Sequence, residues 1–502
     1  MAVVDERLPI IVGVGQVTQR PGTERPREPL ALMAEAARLA EADAGAPGLL
    51  RRLDSLRVVN IISWPSKDPP ADLSRALGAT PRELIYTHIG GNTPQWQVNE
   101  AADGIHRGDI DLALIAGAEA VYSARRARAQ QVDLGWSPRG NPVPNAGDPR
   151  PGVNAVEAAH GAMLPTRIYP LFENALRAHY GHSLDAHRAA LGALCEKLSA
   201  VAARNPLAWF REPKQAGEIA TVDASNRYIA FPYPKYMNAI IDVDQGAALI
   251  LTSVGAARQL GVPEERWVYL RGCGDATDHW SVSERVNYHS SPAIRAAGRR
   301  AIEMAGVGID GIALFDLYSC FPSALQIARD ALGIGCDDPR PLTVTGGLPY
   351  FGGPGNNYVT HSIATMVERL RAAPGSFGLV TANGWYVTKH AAGVYSTEPP
   401  RQPWQRSDPA LDQEAIDAEP HPAFADAPSG VATVETYTVL FDRDGQPERG
   451  IVIGRLADGR RFIANTPADR AVLERMTVVE MQGAPGRVAR AADGTTNVFT
   501  PA

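Results

Sequence analysis

The chain has 502 residues, enough for two or three domains that each bury a core. Its 49 basic and 55 acidic residues leave a net charge of −6 with no long basic block, which argues against binding nucleic acid or an acidic membrane through bulk charge. Apolar residues make up 45% and charged residues 21%, the proportions of a folded chain rather than a disordered one.

The opening residues, MAVVDERLPI, carry acids ahead of any apolar run and lack a small-residue cleavage site. Nowhere do the roughly 18 apolar residues of a membrane helix occur together, so a cytoplasmic protein without a membrane span is expected. Residues 8–17 read as a buried strand. Gly13 and Gly15 suggest a dinucleotide fingerprint, but Thr18 stands in place of its third glycine and no helix pattern follows. Residues 28–43 are strongly helical, and 55–63 are rich in strand formers. A strand at 83–87 then leads into the turn His88-Ile89-Gly90-Gly91-Asn92-Thr93-Pro94-Gln95, a helix through Gly108 and an apolar strand at 112–116.

A long insertion, 122–230, holds a Gly/Pro/Asn-rich part at 137–154 and helical patterns near 171–179 and 185–204. The earlier order then returns: helix at 298–305, strand at 312–317, the turn Gly352-Gly353-Pro354-Gly355-Asn356-Asn357 opening a helix through Arg371, and a strand at 377–381. Two glycine-rich turns in matching places imply a duplicated α/β unit with a five-layered arrangement. Residues 398–429, rich in Pro, Asp and Ala without periodicity, read as an extended linker. From Gly430 onward, short alternating strands with turns at Asp444-Gly445 and Asp458-Gly459 predict a small antiparallel barrel. The expected division is 1–121 with 231–255 as the N-terminal half, 122–230 as the insertion, 256–397 as the C-terminal half, 398–429 as linker and 430–502 as barrel.

Cys195, Cys273, Cys320 and Cys336 lie 78, 47 and 16 residues apart, a spacing that suits neither a metal-ligand pair nor a disulfide framework. His179, His182 and His187 cluster around Gly181 without ligand spacing, so no metal is expected.

The segments GGNTPQWQVNEAADGIHRGDIDLALIAGAEA (90–120), DVDQGAALILTS (242–253), FDLYSCFPSALQIA (315–328) and TGGLPYFGGPGNNYVTHS (345–362) carry a resemblance that spans about residues 8–396. Together they resemble the thiolase superfamily, in particular its sterol-carrier-protein thiolase-like branch. Residues 430–502 look like the OB-fold domain fused to, or partnered with, thiolase-like proteins that act on CoA thioesters. The resemblance implies a thiolase fold of two five-layered halves with a loop-domain insertion, and CoA or acyl-CoA as ligand with no covalently bound cofactor. It also implies dimers or tetramers through the first half unless the barrel covers that surface, which leaves homodimer and monomer both open.

Thiolases use a cysteine at a helix N-terminus, where backbone N–H groups and the helix dipole favour the thiolate. By the resemblance that position falls on Gly91, the activating histidine on Gly353 and the second cysteine on Ala382, while the fourth motif reads Tyr318-Ser319-Cys320-Phe321. None supplies the side chain that cysteine-dependent thiolysis needs. One reading is an acyl-CoA-directed member of the acetyl-CoA acetyltransferase superfamily that cleaves or forms carbon–carbon bonds by retro-aldol chemistry. Tyr318 would be its acid/base, because thiolase-like aldolases of steroid side-chain breakdown also place a tyrosine there, with Tyr350, His361 and His390 as further polar candidates. A second reading is a non-catalytic acyl-CoA-binding or partner module, with the barrel as a surface for a protein partner. A third is an acyltransferase using Cys320. Gly91, Asn92, Gly353, Asn356 and Asn383 are candidates for an oxyanion or substrate pocket, and Arg125, Arg126 and Arg128 for holding CoA phosphates. The barrel's aromatic residues, Tyr437, Phe441, Phe462 and Phe499, are too few for a base-stacking platform on an acidic chain, so no nucleic-acid partner is expected.

Overall fold

The computed structural model describes residues 5–492 and 494–502. The apolar run near the N-terminus becomes the strand Pro9–Thr18, which lies inside a nine-stranded sheet. The order across the sheet is Glu83–Tyr86, Ser55–Val58, Leu112–Ala120, Asp244–Ser253, Pro9–Thr18, Val268–Thr277, Lys389–Ser396, Phe377–Gly384 and Ile312–Asp316. The duplication shows in the pairing. Ser55–Val58 and Leu112–Ala120 are parallel, and antiparallel pairing then runs through Asp244–Ser253 to Pro9–Thr18. In the second half Ile312–Asp316 and Phe377–Gly384 are parallel, and antiparallel pairing runs through Lys389–Ser396 to Val268–Thr277. The halves meet where Ile10 and Ile11 pair with Tyr269 and Val268.

Two glycine pairs explain how the outer layers seat. A Cβ on Gly13 or Gly15 would collide with the carbonyl oxygen of Ala40 or Ala36 in the helix Pro29–Ala44. Gly272 and Gly274 stand in the same relation to Ala301 and Ala297 of the helix Pro292–Ala305. The glycines that imitate a dinucleotide fingerprint thus bring a helix against a strand, once in each half. Between the two half-sheets lie the helices Thr93–Arg107 and Tyr358–Ala372, which completes five layers.

The barrel has strands Gly430–Phe441, Pro447–Leu456, Arg461–Asn465, Pro485–Arg490 and Asn497–Pro501. The first pairs with the second and the fourth, and closure comes from a parallel contact between the third and the fifth, Asn465 to Val498. With the helix Arg470–Val478 between third and fourth strands, this is OB-type connectivity. The strand Tyr228–Ala230 of the insertion adds to the barrel's edge through Leu440. Arg461, fully buried, pairs with Glu435 at 2.7 Å and donates to the carbonyls of Ser283 and Arg285, so it pins the barrel to the second half.

Residues 398–429 are not an extended linker. Trp404 is buried, Arg406 pairs with Glu100, Asp103 and Asp275, and Asp408 caps the helix Pro409–Asp417. A few charged and aromatic anchors fasten this strap, so no apolar periodicity marks it. The Gly/Pro/Asn-rich part of the insertion lies along the edge strand Glu83–Tyr86. Asn145 exchanges backbone and side-chain hydrogen bonds with Tyr86, its amide reaches the Leu84 carbonyl, and His88 N–H donates to Ala146. This segment, not the barrel, covers the sheet edge of the first half. Among the described residues no helix is long and apolar enough to cross a membrane.

Candidate functional site

Both glycine turns point into the middle layer, and they touch: Gly90 N–H donates to Asn356 Oδ1 at 2.9 Å, and Asn356 Nδ2 donates to the Asn60 carbonyl at 3.1 Å. A Cβ on Gly91 would collide with the Tyr318 hydroxyl and lie 2.6 Å from the Asn383 carbonyl oxygen. The phenol of the second half therefore occupies the space where a nucleophile of the first half would start. Tyr318 is buried, its ring packs edge-on to Tyr358 at 5.7 Å, and burial with Cys320 nearby raises its pKa far above that of a free phenol. The cavity that it lines, with Ala382, Asn383 and His390, measures about 10 Å³, room for about one water.

The other predicted groups scatter. Gly353 N–H donates to the Ile240 carbonyl at 2.7 Å and is not free for an oxyanion. His361 is fully buried one turn into its helix, with Nδ1 2.9 Å from Gln16 and burial lowering its pKa to about 3. Tyr350 lies beside Cys195, and burial together with that thiol raises its pKa well above that of a free phenol. Burial pushes the Cys320 thiol up to about 12, which disfavours its thiolate form. Asn383 Nδ2 donates to the Tyr169 hydroxyl at 2.9 Å. Asn92 makes no cap bond, and its buried Oδ1 has no partner among the described residues. His390 stands 3.4 Å from Asp278 and lines both the small cavity and a neighbouring cleft.

Two buried ionisable residues beside the glycine turns have no forewarning motif. Glu119, at the end of Leu112–Ala120, is fully buried and accepts from Ile62 N at 2.7 Å and Ser63 N at 2.8 Å. Burial raises its pKa to about 7, and its carboxylate fills the space beside Gly355. Lys389 donates to the Ile89 carbonyl at 2.6 Å next to Gly90, and burial lowers its pKa to about 8.

A larger pocket, about 1060 Å³, opens between the insertion and the α/β body. Arg20, Arg125, Arg211, Lys214, Arg227 and Lys235 line it against Glu212 and Asp242, with Trp209, Phe210, Tyr236 and Tyr350 as aromatic walls. Arg125 is the one of the three predicted arginines to reach it, and its guanidinium is held by Asp242 at 2.7 Å. Arg126 bonds Tyr122 on an exposed helix face, and Arg128 borders a separate groove. Arg211, Lys235 and Arg227 come from a segment without recognisable pattern, so only the fold brings them together.

A duplicated five-layered α/β body with two glycine turns at its centre, an insertion and an appended OB-type barrel define a thiolase-fold protein without the cysteines and histidine of thiolases. Residues 412–495 match the family model described as "Thiolase-like protein type 1 additional C-terminal domain". The chain is 38% identical to a monomeric SCP2-thiolase like protein type 1 from Mycobacterium smegmatis, with all of both chains covered and a TM-score of 0.87. The chain belongs to the SCP2-thiolase-like proteins of type 1. It also has the fold of an Ltp2-ChsH2(DUF35) aldolase (19% identity, 80% of this chain and 100% of that one, TM-score 0.60). The dimeric peroxisomal thiolase of Saccharomyces cerevisiae shares it too (14%, 78% and 98%, TM-score 0.56). No curated protein matches by sequence.

Proposed function

We propose that this protein binds a CoA-type acyl thioester in the pocket beneath the insertion and does not carry out cysteine-dependent thiolysis. The observation that carries the reading is the lining of that pocket: six cations against two carboxylates, with four aromatic walls. Phosphates need such cations, and a purine ring stacks on such walls. The pocket floor supports the same reading. Ala239 N–H donates to the Cys320 carbonyl at 3.1 Å, so the floor is tied to the strand end that carries Tyr318. Tyr350 lines the pocket, whereas Tyr318 packs on Gly91 and borders a cavity of only about 10 Å³, which favours binding over retro-aldol chemistry at Tyr318.

Isothermal titration with CoA, dephospho-CoA, acetyl-CoA and a bulky acyl-CoA tests the reading. CoA thioesters are expected to bind, more weakly at high salt, and the double substitution Arg211→Glu with Lys235→Glu should weaken binding at least about tenfold, as expected when two phosphate contacts are lost. Binding unaffected by the charge reversal, or no binding at millimolar ligand, would overturn it.

A further inference from the structure

Only five of the 49 basic residues are lysines, so the chain supplies positive charge almost entirely with arginine. Lysine differs in one respect that matters inside a protein: its nitrogen can give up a proton and act as a nucleophile. Lys67, Lys197 and Lys235 are exposed and Lys214 is half-buried, whereas Lys389 is 6% exposed and lines a cleft of about 700 Å³ beside the first glycine turn. This cleft shares no lining residue with the cationic pocket. We propose that it is a carbonyl-binding site in which the Lys389 amine forms an imine with an aldehyde or ketone.

The geometry is built around the amine. Cβ atoms on Gly90 and Gly384 would lie 3.1 and 3.0 Å from Lys389 Cε, so two glycines leave the room through which the side chain passes. The Trp280 and Trp385 rings flank Nζ at 5.9 and 5.7 Å. One N–H is fixed on the Ile89 carbonyl, a bond that a neutral amine keeps with its lone pair still available. Asn92 Oδ1 adjoins the same glycines and has no donor among the described residues. The hydroxyl of a carbinolamine would supply one. His88 and His390 also line the cleft. Asp148 acts on Lys389 in the opposite sense to burial and Arg150 in the same sense, and burial prevails.

The step balances without an added reagent. The nitrogen lone pair attacks the carbonyl carbon, the π pair moves to oxygen, and oxygen takes a proton as nitrogen loses one. The carbinolamine then expels water as C=N forms, and hydrolysis restores the free amine.

The test is reductive alkylation of the full chain with propanal and cyanoborohydride at pH 7, followed by peptide mapping of the five lysines. Lys389 should be modified at least about tenfold faster than any other lysine, because its unprotonated fraction is on the order of 100-fold larger. Lys389→Arg, which keeps the charge and the donor, should remove the fast modification without changing the circular dichroism. Modification of Lys389 at or below the rate of the exposed lysines would overturn the proposal. So would a Lys389 that stays unmodified while acetate or phosphate raises the melting temperature, which would make the site an ammonium anchor for anions.

Discussion

The two glycine turns occupy equivalent places and receive different chemistry. The turn at Gly90 and Gly91 takes Lys389 and Tyr318 from the second half, whereas the turn at Gly352 and Gly355 takes Gln245 and Glu119 from the first. In both, an absent Cβ admits a side chain from the opposite half. At the nucleophile position, Gly91, the space is filled by Tyr318, whereas at the histidine position, Gly353, a Cβ would meet nothing nearer than the Ile240 carbonyl oxygen at 3.2 Å. What differs is access: Lys389 opens on a cleft, while Glu119 is sealed behind the backbone of Ile62 and Ser63. An ionisable group at the first turn can meet a ligand, and one at the second can only answer to pH.

The largest expected effects are the opposite pH responses of these two groups. Below pH 4.5 Glu119 is protonated in both folded and unfolded chains; as pH rises to 7 the unfolded chain ionises first, and stability falls by about 3 kcal/mol. Glu119→Gln should abolish that fall, read as urea unfolding free energies between pH 4 and 8 on the order of 1 pH unit apart. Parallel curves for the two proteins would mean that Glu119 does not titrate in this window. Lys389 runs the other way. Below pH 8 it is charged in both states and the fold carries the desolvation cost; between 8 and 10.5 only the unfolded chain stays protonated, so stability recovers by about 3 kcal/mol. Lys389→Met should lack that recovery. The comparison of the turns breaks if the variant follows the wild type through the alkaline range.

The next effect separates the nucleophile and histidine positions. Gly91→Ala has no free volume, since one of the colliding atoms is the backbone oxygen of Asn383, and should cost about 2 kcal/mol of unfolding free energy. Gly353→Ala meets nothing nearer than the Ile240 carbonyl at 3.2 Å and should cost less than about 1 kcal/mol. Tyr318→Ala should rescue Gly91→Ala only in part. Full rescue would show that Asn383 can yield, and equal costs at the two glycines would erase the asymmetry.

Periodicity and turn chemistry made most of the body legible, because strands buried on both faces and glycine turns leave strong local signals. The resemblance supplied the placement of Gly91, Gly353 and Ala382. The site itself was harder to read. Tyr318 stood out by its motif, but that its phenol packs on Gly91 depends on contact between halves more than 200 residues apart. Glu119 sat unnoticed in an apolar strand, and its environment comes from the 61–63 loop and the second turn. Tyr350 and His361 are near Gly353 in sequence yet face other parts of the core, since a helix and a turn rotate neighbours apart. The strap carries no periodic signal, because Arg406 is anchored by carboxylates from distant elements.

The smallest effect concerns the strand that leads into the first turn and has no counterpart before the second. Glu83–Tyr86 would expose an unpaired edge were it not for Asn145, whose side chain accepts from Tyr86 N at 2.9 Å and donates to the Leu84 carbonyl at 3.0 Å. An open edge is the ordinary route by which a sheet pairs with a second copy. Asn145→Ala should therefore cost only about 1 kcal/mol in stability, while replacing 143–147 by a flexible Gly/Ser stretch should add a concentration-dependent dimer in sedimentation velocity. The unaltered chain should sediment as a monomer over the same range. A dimer in the unaltered chain would show that the cover over this edge does not govern association, and the asymmetry between the turns would then stop at their glycines.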